Sequence, residues 1–128
     1  MAKPKVFIID DDHGILVMLS DALAEDFAVA AYPNAAEAMK ALNLADDHQL
    51  PAAIITDVMM PGMDGYSFQN ELAMDDKTRA IPIIVMSAKG GLIENFRHQP
   101  NVAAFIEKPF DYKHLVRITK KAIEDAKR

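Results

Sequence analysis

Cysteine is absent from all 128 residues, which excludes disulfides, cysteine-held zinc and thiol nucleophiles. Long apolar runs are also lacking. The first apolar stretch, in MAKPKVFIID, is too short for a signal peptide or a membrane span, so the expected compartment is cytoplasmic. Positive charge is in deficit, with Lys+Arg 14 against Asp+Glu 19 and a net charge of −5. Basic residues form no run longer than a pair such as Lys120-Lys121, so neither nucleic acid nor an anionic membrane is an expected partner. There are no repeats, low-complexity tracts or linkers, and one domain is expected over 1–128, with no room for a second. Apolar residues at 51% and charged residues at 26% give an ordinary globular balance, at a length that can bury a core.

What is present is an alternation. Short apolar runs at 6–9, 28–31, 53–56, 83–86 and 103–106 are separated by helical patterns. Several look apolar on both faces, as strands of a parallel sheet covered on both sides do. Ile15, Leu19, Ala22 and Leu23 recur at helical spacing in 13–26. In 34–45, Asn34 can cap and Glu37 sits three residues on, followed by Ala38, Leu42 and Ala45. Phe68, Leu72 and Met74 mark 65–75. Leu115, Ile118, Ala122 and Ile123 mark 112–127, with Asp111 as N-cap. A shorter, weakly patterned segment lies at 89–98. The expected fold class is α/β, a (βα)5 doubly wound parallel sheet with right-handed crossovers.

In such a sheet, ligands bind beyond the carboxyl ends of the strands. The first predicted strand ends in Asp10-Asp11-Asp12, the third in Asp57, the fourth in Ser87 and the fifth in Lys108-Pro109. The second ends in Tyr32-Pro33 and offers nothing ionic. Strand order 2-1-3-4-5 makes the first, third, fourth and fifth ends contiguous. Carboxylates gathered there repel one another unless a cation stands between them, and an all-oxygen site suits Mg2+ or Mn2+. Lys108 adds a second cation and Ser87 a hydroxyl donor. Cations and a donor around a carboxylate suit phosphoryl transfer, with Asp57 as nucleophile. The rigid strand fixes Asp57, and the Gly-Pro loop after it lets backbone approach a metal or phosphate.

Four segments in order, VFIIDDDHG, TDVMMPGMDG, IIVMSA and FIEKPF, make the chain resemble the response regulator receiver domain of two-component signalling. The resemblance covers essentially the whole chain and is to a stand-alone, single-domain chemotaxis-type regulator. It implies a flavodoxin-like fold of order 2-1-3-4-5. It implies that Asp57 accepts a phosphoryl group from a histidine kinase or histidine phosphotransfer protein and so switches contacts with an output protein. Mg2+ would be bound by Asp11, Asp57 and the backbone carbonyl of Met59, with Asp10 acting through water. Ser87 would contact the phosphoryl group, and Lys108 would pair with it, or with Asp57 beforehand. Phe105 takes the place of the switch aromatic, and a cis Lys108-Pro109 bond is expected. Hydrolysis of the acyl phosphate would reset the switch, with no enzymatic turnover. Met59 and Lys89 stand where the family tunes that reset, and Met59 cannot hold a water by hydrogen bonding.

The chain departs from the family pattern at three places. Ser87 stands where threonine is common, and Phe105 where tyrosine is frequent, so no phenol hydroxyl is available. The span between Ser87 and Lys108 is compressed and holds Gly90-Gly91 and Pro100. That span belongs to the usual output and dimerisation face, so a monomer or weak homodimer is expected. His13, His48, His98 and His114 read as surface residues, and Met59, Met60 and Met63 as loop packing. Ile15 to Leu19 are consecutive apolar residues of which a helix buries only a stripe. Ile15 and Leu16 are expected to stay exposed as a docking patch for a phosphohistidine helical bundle.

Three other readings compete. A receiver cut from a hybrid kinase or longer regulator would have the same motifs. A phosphorylation-independent interaction module is expected to lack Asp57, Lys108 or the acidic pair, all present here. An aspartyl-phosphate phosphatase needs a second acid two residues after its nucleophile, where Met59 stands.

Overall fold

A computed structural model describes residues 3–57, 65–87 and 101–127. Five parallel strands form one sheet: β1 (Lys5–Ile9), β2 (Ala28–Tyr32), β3 (Ala53–Asp57), β4 (Ile83–Ser87) and β5 (Val102–Glu107). Their order is β2-β1-β3-β4-β5, as expected. The described helices are α1 (His13–Leu23), α2 (Ala35–Leu44), α3 (Gly65–Met74) and α4 (Tyr112–Ala126), with a single 3-10 turn at Asp47–Gln49. Segment 89–98, expected as a helix, lies outside the described residues.

Strand alternation divides the core. Val6 and Ile8 of β1 and Ile55 of β3 pack with Leu16, Leu19 and Leu23 of α1 and Leu115 and Ile123 of α4. Phe7, Ile9 and Ile54 face the other way, onto Ala38 and Leu42 of α2 and Phe68 and Leu72 of α3. Successive side chains of a strand point to opposite faces, so a strand covered on both sides must be apolar throughout. Inner strand β4 is buried at every residue, whereas edge strand β2 is at best half-buried.

Caps set the helix phases. Asp12 Oδ1 accepts the Ile15 N–H at 3.2 Å, and Asn34 Oδ1 accepts the Glu37 N–H at 2.9 Å. Asp111 Oδ1 accepts the Lys113 N–H at 2.9 Å. With α1 starting at His13, its inward stripe is Leu16, Leu19 and Leu23. This corrects the expected apolar patch: Leu16 is buried, Ile15 is half-buried, and the exposed residues of the run are Val17 (48%) and Met18 (54%). Met74 is a second correction, since it stands 83% exposed at the end of α3 rather than on its apolar face. Among the described residues no helix is long and apolar enough to cross a membrane.

Candidate functional site

Beyond the carboxyl end of β1 the chain turns through Asp10, Asp11 and Asp12. Asp10 is 1% exposed. Its N–H donates to Tyr32 O at 3.2 Å, and its Oδ1 accepts the Asp12 N–H at 2.9 Å, which fixes the carboxylate against the turn. Asp11 is exposed. Asp57 closes β3, and the pairing of Ile9 with Thr56 sets Asp10 and Asp57 at the same level on neighbouring strands. Ser87 closes β4, is buried, and gives its backbone carbonyl to the Lys108 N–H at 2.8 Å. The Lys108-Pro109 bond is cis.

Lys108 binds the carboxylates together. Its Nζ donates to Asp57 Oδ2 at 2.7 Å and to Asp10 Oδ2 at 3.2 Å. Burial alone would depress the lysine pKa, but the hydrogen bond to Asp57 and the negative charges of Asp10 and Asp57 hold it above its ordinary value. Asp10 shows the opposite balance. Burial raises its pKa, the Asp12 amide and the Lys108 charge offset part of that, and the Asp57 charge adds to it. One carboxylate oxygen from each of Asp10, Asp11 and Asp57 lies within 4.8 Å of the others. Three hard anionic donors with a single lysine among them fit a small divalent cation such as Mg2+.

The raised Asp10 pKa has a measurable consequence. The stability that a protonated Asp10 contributes is present below pH 3.8, its ordinary value, and is lost as pH rises through the folded-state value. At neutral pH the ionised side chain therefore burdens the metal-free fold. Asp10→Asn keeps an oxygen acceptor and removes the charge. It is expected to stabilise the metal-free protein by about 1 kcal/mol, or about 3–5 °C in melting temperature. The same change should weaken Mg2+ binding. Thermal denaturation with and without Mg2+ checks both, and an unchanged metal-free melting temperature would refute the argument.

A family model described as the response regulator receiver domain matches residues 6–120. The chain belongs to the response regulator receiver family. Response regulator Rre1 of Synechocystis is 35% identical over 115 residues, covering 87% of this chain and 48% of that protein. The receiver thus spans about half the length of Rre1 and smaller shares of other relatives. A sensor protein from Polaromonas superposes with a TM-score of 0.84 at 29% identity, over 96% of this chain and 98% of the other. The signal receiver domain of a signal transduction histidine kinase from Syntrophus aciditrophicus gives a TM-score of 0.85 at 26% identity, over 98% and 93%. Receiver domains are signalling domains that work with histidine kinases and output domains and bind Mg2+, and the aspartate cluster here fits a phosphoacceptor site.

The fold brings Asp10, Asp11, Asp57 and Lys108 together, and sets Ser87 at the neighbouring strand end. Phe105 is half-buried on β5 and packs into the α2 and α3 side of the core. Met59 and Lys89 lie outside the described residues. Sequence reasoning paired Lys108 with Asp57 but missed its second bond, to Asp10. It also missed that Asp12 has a capping role, although an aspartate immediately before a helical pattern was a usable signal.

Proposed function

We propose that the domain is a Mg2+-dependent phosphoacceptor switch with Asp57 as the phosphorylated residue. The observation that carries this is the pair of Lys108 bonds, 2.7 Å to Asp57 and 3.2 Å to Asp10, inside a cluster of three carboxylates. Lys108 fixes Oδ2 of Asp57, and β3 holds the side chain at the rim of the sheet. A carboxylate oxygen attacks the phosphorus of a phosphohistidine, forming the new P–O bond as the P–N bond breaks. Asp10, Asp11 and Asp57 would hold Mg2+, with the Met59 carbonyl as a further ligand. An ion held by these residues would supply positive charge to the phosphoryl group during transfer.

After transfer, Lys108 turns from the carboxylate to a phosphoryl oxygen, and the Ser87 hydroxyl donates to another. These contacts exist only in the phosphorylated state, so they can shift a conformational equilibrium at the β4 and β5 ends, including the setting of Phe105. Hydrolysis of the acyl phosphate resets the domain, which turns over no separate substrate. Output is a change in protein contacts. A second reading, in which the output element belongs to the same polypeptide, is favoured by the partial coverage of Rre1.

Intact mass after incubation with acetyl phosphate tests the proposal. One phosphoryl adduct is expected with Mg2+ and none after chelation. An adduct indifferent to Mg2+, or no adduct on folded, Mg2+-bound protein, would count against it.

The docking patch for a phosphohistidine bundle is proposed beside Lys108. Ile15 and Leu19 of α1, with Pro109, Phe110 and Tyr112, line a depression of about 220 Å³ there. Leu16 opens instead into the groove on the β2 side of α1. Ile15→Glu is expected to slow transfer from the cognate kinase at least roughly tenfold, the scale of a modest interface contact. Acetyl phosphate labelling should be unaffected. Unchanged kinase transfer would sink the patch.

A further inference from the structure

The two edges of the sheet are not alike. The β5 edge ends on Glu107, and its pairing with β4 shifts register at Ile83/Ile84. Charge and irregular pairing are devices that keep an edge from recruiting another strand. β2 has neither. It reads Ala-Val-Ala-Ala-Tyr, and it pairs with β1 over five consecutive positions without a shift.

The outward groups of β2 can be assigned. Ala28 donates its N–H to Pro4 O, and Tyr32 O accepts from the Asp10 N–H, so both spend these groups on the β1 side. Backbone groups alternate along a strand, so Ala30 also faces β1 while Val29 and Ala31 aim their N–H and C=O outward. Among the described residues no strand lies beyond them.

A groove flanks this edge on each face of the sheet. On the α1 side, Leu16, Val17, Ala31 and Pro33 line one of about 460 Å³, together with His13 and Asp21 of α1. On the α2 side, Ala30, Tyr32, Ala41 and Leu44 line one of about 280 Å³. Val17 and Leu44, 48% and 84% exposed, are two of the most exposed large apolar residues described, and they stand on opposite sides of the same bare edge.

We propose that β2 is a self-association edge, on which a second copy of this chain pairs its own β2 antiparallel about a two-fold axis through Ala30. Val29 of each copy then meets Ala31 of the other as a hydrogen-bonded pair, giving two such pairs. Ala30 meets Ala30 as the close, non-hydrogen-bonded pair, where the backbones approach to about 4.5 Å and only a small side chain fits easily. The axis runs normal to the sheet, so α1 lies beside α1 and α2 beside α2. Val17 packs near the axis. His13 faces Asp21 of the second copy, an imidazole N–H against a carboxylate, and this occurs twice. An isologous contact needs such self-complementarity, and the uncharged strand adds no like-charge clash. The dimer joins the sheets into one of ten strands and leaves the ends of β1, β3 and β4 open for phosphotransfer.

Sedimentation equilibrium from micromolar to millimolar protein tests this, with hydrogen exchange at both limits. The wild type is expected to dimerise reversibly, with the Val29 and Ala31 amides protected only in the dimer. Ala31→Lys, at an exposed edge position, should weaken dimerisation roughly tenfold or more, and Val17→Glu should do likewise. Ala103→Lys, exposed on the β5 edge, should leave it unchanged. A protein monomeric at every concentration would overturn the proposal and reassign the edge to an extended segment of another protein. A dimer lost in Ala103→Lys but kept in Ala31→Lys would overturn it in favour of the β5 edge.

Discussion

Asp57→Asn should carry no phosphoryl adduct under conditions that label the wild-type chain, a loss of more than roughly a hundredfold. Asparagine keeps the shape of the side chain and an oxygen for Lys108, so the fold should persist. What disappears is the anionic oxygen that attacks phosphorus. The variant also gives up one of the three carboxylates in the cluster, so Mg2+ should stabilise it less than the wild type. Intact mass with acetyl phosphate and Mg2+ reads the first effect, and Mg2+-dependent melting reads the second. Undiminished labelling of the variant would move the phosphoacceptor away from Asp57. Asp11→Asn is the informative contrast: it should slow labelling through weaker metal binding, and excess Mg2+ should recover part of the rate.

Lys108→Ala is expected to lower the rate of labelling by roughly a hundredfold, the scale for removing one preorganised charge at a developing anion. It should also destabilise the metal-free protein. Asp10 is 1% exposed and Asp57 13%, and both lose the Lys108 ammonium that bonds them. Breaking a fully buried pair costs about 3–5 kcal/mol, but Lys108 is 26% exposed, so about 2 kcal/mol is expected. The pH dependence has a definite sign. Because the Lys108 pKa is raised, its stabilising effect is complete below its ordinary value of 10.5 and is lost as pH rises through the folded-state value. The Asp10 pKa is raised too, so on acidification Asp10 takes up a proton and no longer needs a cation. The stability difference between wild type and Lys108→Ala should therefore be widest near neutrality and narrow at both ends. Denaturant unfolding across pH tests this, and a difference that grew towards acid would contradict the assigned role. Lys108→Arg, which keeps the charge, should recover most of the stability and less of the rate.

Much of this was legible in the sequence because strand and helix periods differ. Runs such as Ile83 to Met86, apolar on both faces, fit inner parallel strands, and polar residues at the ends of such strands converge in one crevice. Asp57, Asp10, Asp11 and Lys108 were found that way. Exposure within α1 was not legible. Ile15, Leu16, Val17, Met18 and Leu19 are all apolar, so the pattern had no polar residue to fix its phase. The phase follows from where Asp12 caps the helix, and that sends Leu16 inward and Val17 outward. Met74, 83% exposed as the last residue of α3, shows the same limit at a helix end.

The order of residues by itself determined the five-strand α/β plan, the caps at Asn34 and Asp111, the family, and which side chains meet beyond the strand ends. Those are consequences of local periodicity and of the rule that parallel strands present their carboxyl ends together. Only the tertiary structure decided that one lysine spans two carboxylates, that Asp10 rather than Asp11 is the buried one, and that Val17 and Leu44 flank the β2 edge on opposite faces. Each depends on distances between residues far apart in the chain, such as the 98 positions from Asp10 to Lys108, and those distances are set by how strands pack rather than by what any one segment prefers.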